Sequence, residues 1–383
     1  MDRLKAVLVA LSMLRFQILV APLLLFTARS GRGRMEGLFG TIFAVLVTCG
    51  ALTLAYWLAD DWPAPELAVA GLCVAGAAVL PASFLAAALA RSCHFGEGPV
   101  GSHFLEKEPP KESLGWADTE DEYVWLLIQF GTRLDPWVPA AEAVAARDGV
   151  RDLVDAVRTH PDYHCLARSG GVSGYALLSG RFDPCHCYSY RPEPQFPEER
   201  FGLLVFLHPY RGNYLVFLHA LRPLADEHRL VLVCPSFGYG NWEDAGGVEA
   251  VERARRFACE AFPIDRSRVF LGGLSQGGAG VSRAAAASPE LYTGLAFISA
   301  TLEPAVVGSA AFAGGWHGRP VLVIHGEQDR GARTRTVIAA VQLMQANGVK
   351  VTFHLDPEGG RYLFFAKLDE VRGMIGKWID TTA

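Results

Sequence analysis

One undecapeptide constrains this chain more than any other: Arg268-Val269-Phe270-Leu271-Gly272-Gly273-Leu274-Ser275-Gln276-Gly277-Gly278. An apolar strand runs into a helix through a turn whose serine is flanked, two residues away on each side, by glycine. Glycine has no Cβ, so the chain can bend sharply there and the helix can pass close to the strand. A serine held on such a bend projects its hydroxyl above the end of a sheet, and the following helix aims its N-terminal amides at any charge developing beside it. GxSxG alone arises often by chance; between a strand and a helix inside a longer alternating pattern it is specific.

That longer pattern is present. From Phe201 onward, short apolar runs at about 203–207, 230–234, 269–272, 295–299, 321–324 and 351–354 alternate with helical patterns at about 214–227, 247–261, 277–287, 333–346 and 364–379. The runs are apolar at successive positions, as expected of parallel strands covered by helices on both faces. The fold class is therefore α/β, a doubly wound, mostly parallel sheet.

Residues 201–383 resemble the α/β-hydrolase superfamily, in particular its esterase and polyester-depolymerase-like branches. The resemblance covers just under half of the 383 residues and implies a set of site residues. Ser275 takes the nucleophile position. The Gln276 amide and a donor from His208-Pro209-Tyr210-Arg211-Gly212-Asn213 take the oxyanion hole; Pro209 has no N–H, which leaves Tyr210. Val321-Leu322-Val323-Ile324-His325-Gly326-Glu327-Gln328-Asp329 is similar to the strand that delivers the acid, so Asp329 takes that role, with His325 a structural residue at the strand end. The histidine belongs in a Gly-His turn after the last strand. Here Glu358-Gly359-Gly360-Arg361-Tyr362 puts Arg361 in that position. Arginine stays protonated and offers no acceptor.

Three readings of this position stand side by side. The site is inactive, with Arg361 forking onto Asp329 as an ion pair; or another histidine substitutes, His354 being nearest in sequence; or an otherwise active esterase has acquired Arg361. The resemblance implies a serine hydrolase acting on a small-molecule or lipid ester, needing no cofactor. The rival expectation is a hydrolase-like binding or assembly domain.

The first 91 residues differ in kind. Three apolar stretches, about 4–28, 38–59 and 67–90, reach the roughly 20 residues that cross a bilayer as helices. Arg15 and Gln17 near the centre of the first make it the poorest span. Arg29, Arg32 and Arg34 mark the first connection, whereas Asp60, Asp61 and Glu66 mark the second. The positive-inside rule then predicts an all-α, multi-pass membrane segment that delivers the hydrolase part to the cytoplasmic side.

Residues 92–200 read as a solvated linker over 92–120, a helical collar with short helices starting near Pro139 and over 150–157, and the first strands of the hydrolase. Cys185-His186-Cys187 is expected to be plain strand rather than a metal site, because His186 would point away from the two thiols. The eight cysteines form no disulfide framework, and a net charge of -5 without a dense basic run gives no sign of nucleic-acid binding. Oligomeric state has no signature in the sequence.

Overall fold

The computed structural model describes residues 99–105, 120–163, 185–210, 212, 215–237 and 241–382. The chain divides into two compact units, Met1–Ser92 and Cys93–Ala383. The three apolar stretches expected to span a membrane lie outside the described residues, as do Arg211, Asn213 and 238–240. Among the described residues no helix is long and apolar enough to cross a membrane.

The second unit is built on one eight-stranded sheet: β1 (Val100–Phe104), β2 (His186–Tyr190), β3 (Phe201–Leu207), β4 (Leu230–Ser236), β5 (Ile264–Leu274), β6 (Gly294–Ile298), β7 (Pro320–Gly326) and β8 (Lys350–Asp356). Their order is β1-β2-β4-β3-β5-β6-β7-β8. β1, β2 and β4 pair antiparallel; all pairs from β4 through β3 to β8 are parallel. The central strands are buried along their length, as the unbroken apolar runs require. β8, at the edge, instead alternates between exposed and half-buried residues.

Helices cover both faces. The first core layer joins Leu204, Phe206, Ile298 and Ile324 of the sheet to α2 (Ala140–Thr159), α3 (Leu215–His228), α9 (Leu363–Ala366) and α10 (Leu368–Thr382). The opposite layer joins Leu203, Val205, Phe297 and Val323 to α4 (Gly247–Ala261), α5 (Gly277–Ala287), α7 (Ala310–Trp316) and α8 (Thr334–Ala346). Between α5 and α7 the chain makes the single turn α6 (Pro304–Val307). Alternate residues of one strand thus feed two cores, each buried aliphatic side chain contributing about 1.5–3 kcal/mol.

Two expectations about residues 92–200 need correction. Val100–Phe104 is not linker but the outer strand β1, hydrogen-bonded along β2. The collar is a hairpin of α1 (Glu120–Leu134) and α2, and α2 runs unbroken for 20 residues where two short helices were expected. Gly149 lies inside the helix, where any Cβ would sit 2.5 Å from the Phe365 carbonyl oxygen. The glycine marks a close crossing, not an end. Cys187 is buried on β2, and His186 is held by the hydroxyls of Ser102 (2.8 Å) and Ser236 (3.0 Å). Among the described residues no His, Cys, Asp and Glu cluster could hold a metal ion.

Candidate active site

Ser275 stands between β5 and α5 with φ of 52°, in the left-handed region that a serine seldom occupies. The two flanking glycines explain how the bend is possible. A Cβ on Gly273 would lie 2.6 Å from the Gly277 carbonyl carbon, and one on Gly277 would collide with the Leu207 carbonyl oxygen. The turn is locked on its other side as well. Ser275 N–H donates to the Ile298 oxygen (3.1 Å), and its own carbonyl accepts from Gly278 (3.0 Å) and Thr301 (2.8 Å). Ser275 itself is half-buried at the C-terminal edge of the sheet.

Close packing of Gly277 on Leu207 and His208 brings the start of α5 against the loop that leaves β3. The two segments expected to supply oxyanion donors, at Gln276 and Tyr210, are therefore neighbours. His208 fixes that loop. Its Nε2 accepts the Phe237 N–H (3.0 Å), so the proton resides on Nδ1, which donates to the Pro209 oxygen (2.7 Å); the His208 carbonyl accepts from the Trp242 indole (3.0 Å). Burial drives the His208 pKa down to about 4, keeping the ring neutral. The Gln276 side chain turns away to Glu243, which leaves its backbone amide at the first turn of α5. Tyr210 is half-exposed at the surface of the loop.

Asp329 follows β7, two strands along the same edge, about 10 Å away by strand spacing. It is buried, and one carboxylate oxygen accepts the N–H groups of Gly331 (2.7 Å) and Ala332 (3.0 Å). Burial raises its pKa; His325, those two amides and the Arg361 charge oppose the rise. The neighbouring His325 is fully buried at the end of β7, with neither ring nitrogen hydrogen-bonded. Burial lowers its pKa against the pull of the Asp329 charge.

The turn carrying Arg361 folds back over the end of β7: Gln328 N–H donates to the Gly359 oxygen (2.9 Å). Arg361 thereby comes beside the Asp329 loop, as the sequence position implies. The expected ion pair is not formed. Among the described residues no ion pair or hydrogen bond joins the Arg361 guanidinium to Asp329; the arginine is exposed and lies across Gly331, and one of the two carboxylate oxygens accepts two backbone amides. His354 is not brought to the site either. It is exposed on the edge strand β8, paired with Ile324 and three strands from β5.

One residue of the neighbourhood escaped the sequence reading. Glu142, in the first turn of α2, is 6% exposed and accepts the Tyr362 N–H (2.6 Å) next to Arg361. The signal was there: Glu142 shares a helical stripe with Ala146, Val150, Val154 and Val157, all buried, and an acid on an apolar stripe calls for a partner.

A mostly parallel sheet wound on both sides, with a strained serine at the turn from its fifth strand into a helix, is the α/β-hydrolase fold. Residues 252–379, roughly a third of the chain, match the family described as phospholipase/carboxylesterase, which identifies this part of the chain as α/β-hydrolase. No curated protein matches the chain. Solved structures that are similar include the Staphylococcus aureus fluorophosphonate-binding serine hydrolase FphF (15% identity over 51% of this chain and 92% of that one, TM-score 0.43). A Pyrobaculum calidifontis esterase is also similar (16%, 52% and 82%, TM-score 0.43), as is Est1E from Butyrivibrio proteoclasticus with ferulic acid bound (15%, 51% and 94%, TM-score 0.41). The fold assignment rests on the strand order and the family match.

Proposed function

We propose that this chain is a membrane-tethered serine hydrolase of carboxylesterase type, acting on a small-molecule or lipid ester through Ser275. The observation that carries the reading is the left-handed Ser275 between Gly273 and Gly277, packed against the loop leaving β3. In this mechanism Ser275 Oγ attacks the ester carbonyl and its proton passes to solvent water, since among the described residues no side-chain base is placed to take it. The amides of Gln276 and Tyr210 hold the oxyanion of the tetrahedral intermediate, which collapses with release of the alcohol, and water then hydrolyses the acyl-serine. Asp329 is the acid of the constellation. Arg361, at the histidine position, has no lone pair to take the serine proton, so the site runs on its preorganised oxyanion hole and on substrate binding. Such a remnant still gives about 10³–10⁴-fold acceleration over water. Exposed Trp137 on the α1–α2 hairpin, with Arg330 stacked over its ring at 3.7 Å, supplies apolar surface close to Asp329 and suits an apolar ester.

A fluorophosphonate probe tests the reading directly. Labelling is expected in the full-length chain and lost in Ser275→Ala. Restoring the base with Arg361→His is expected to raise ester turnover by at least about 10²-fold, since a missing base costs up to about 10⁶ in such triads. Labelling that persists in Ser275→Ala would remove the nucleophile assignment.

The second reading, a hydrolase-like domain that binds rather than turns over its ligand, draws on the charge of Arg361 and on the edge-strand placement of His354. Absence of labelling in both the natural chain and Arg361→His would favour it. The tether is supported by the apolar stretches within residues 1–91, and the cytoplasmic placement of the hydrolase by arginines in the first connection and acids in the second.

A further inference from the structure

Helix α2 lies outside the residues that match the phospholipase/carboxylesterase family, yet it grips the turn that carries Arg361 at two points. Near its start, Glu142 Oε1 accepts the Tyr362 N–H at 2.6 Å. Oε2 is buried with no hydrogen-bond partner, and packs so closely on the chain that a Cβ on Gly360 would lie 2.5 Å from it. About two helical turns further on, Gly149 meets the Phe365 carbonyl. The turn is therefore pressed between α2 and the end of β7, where Gln328 holds Gly359.

The charges around Glu142 come from every neighbouring element. Asp329 faces it from the loop after β7, and Asp356 from the end of β8, there paired with Lys367 at 2.6 Å. Arg361 and Tyr362 belong to the turn itself, and Asp135, before α2, acts on Tyr362. Burial, with the two aspartates adding to it, pushes the Glu142 pKa up to about 7; the amides of Tyr362 and Gly360 oppose the rise. A carboxyl so placed exchanges its proton near neutrality.

We infer that Glu142 is a positioning residue of the Ser275 site: it sets the Gly360–Arg361–Tyr362 turn against the Asp329 loop, and loss of its proton loosens that turn. Once ionised, Glu142 puts a third negative charge beside Asp329 and Asp356, in a buried place where only the amides of Tyr362 and Gly360 face it. Opening the turn rehydrates it. The Arg361 position is then held firmly on the acid side of neutrality and less firmly on the alkaline side.

The test is amide hydrogen exchange of the segment 358–365 in the full-length protein at pH 6 and pH 8, corrected for intrinsic rates. In the natural chain, protection is expected to fall about tenfold between the two, the ratio set by a carboxyl that titrates near 7 when closed and near 4.5 when open. Glu142→Gln keeps the acceptor for Tyr362 N–H but carries no proton to lose, so its protection should be high and equal at both pH values. Gly360→Ala, which drives a methyl into Oε2 from the other side, should lower protection at both. Unchanged protection and unchanged pH dependence in Glu142→Gln would overturn the inference, and so would a natural chain whose protection does not vary with pH. The kinetic half rests on the esterase reading. There, Ser275-dependent turnover should show an inflection near neutrality that Glu142→Gln lacks, in kcat rather than KM. A chain without Ser275-dependent turnover would sink the esterase reading, while the exchange measurement would still decide the role of Glu142.

Discussion

Ser275 adopts a backbone conformation that costs an L-residue roughly 1–2 kcal/mol, and it is held there by three backbone hydrogen bonds and by two glycines that allow the approach. Glycine at the same position would carry no such penalty, offset in part by its greater freedom when unfolded. Ser275→Gly is therefore expected to abolish probe labelling while raising the unfolding free energy by about 0.5–1 kcal/mol, read from denaturant titration. A loss of stability would mean the turn is not strained. Glu142 makes a second prediction, one of pH. Its folded pKa stands above its ordinary 4.5, at about 7. Its contribution is thus complete below about pH 4.5 and is lost as pH rises through 7, amounting to about 3 kcal/mol. Glu142→Gln should gain on the natural chain in stability as pH rises across that window and then hold its advantage above pH 8. The Ser275 motif was legible because its glycines are themselves the geometry. Glu142 was not, because its partners Gly360 and Tyr362 stand some 220 positions away, and periodicity within one helix reveals burial without naming what covers it.

At the scale of elements, two helical glycines of the same type should answer oppositely to alanine. Gly149 in α2 faces the Phe365 carbonyl at 2.5 Å, so a methyl group must displace backbone; Gly149→Ala is expected to cost about 1–3 kcal/mol and to lower protection of α9. Gly373 in α10 is exposed, with open space where its Cβ would stand, and Gly373→Ala should stabilise by about 0.5–1 kcal/mol. Thermal melts of the pair would check both signs. The same contrast explains what the sequence revealed of the elements. Helices α4 and α5 coincide with the patterns that announced them, since their boundaries are set by local turns. β1 was hidden in an apparent linker because an edge strand of five residues needs only a partner, and β2 supplies it. The interruption expected in α2 failed for a tertiary reason, a neighbouring carbonyl that required glycine.

For the whole molecule, the sheet is not complete without residues that precede Phe201. β2 covers the free side of β4, and α1–α2 covers α9. Removing residues 93–200 should leave an aggregating product, with β4 as a bare apolar edge, by light scattering of the purified chain. The proposed tether makes a separate prediction. The full-length chain should stay with the membrane fraction after alkaline carbonate washing, and protease added from outside the cell should leave the hydrolase part intact. Extraction by carbonate would dismiss the tether without touching the Ser275 assignment.

The bond between Glu142 and Tyr362 has a consequence for timing. A ribosome makes the helix that braces the Arg361 turn more than two hundred residues before it makes the turn. At about 5–20 residues per second, more than ten seconds pass in which α2 has no Arg361 turn to hold. Throughout that interval Ser275, once made, sits at the edge of a half-built sheet. The site is completed only once the Arg361 turn, made long after both α2 and Ser275, has left the exit tunnel.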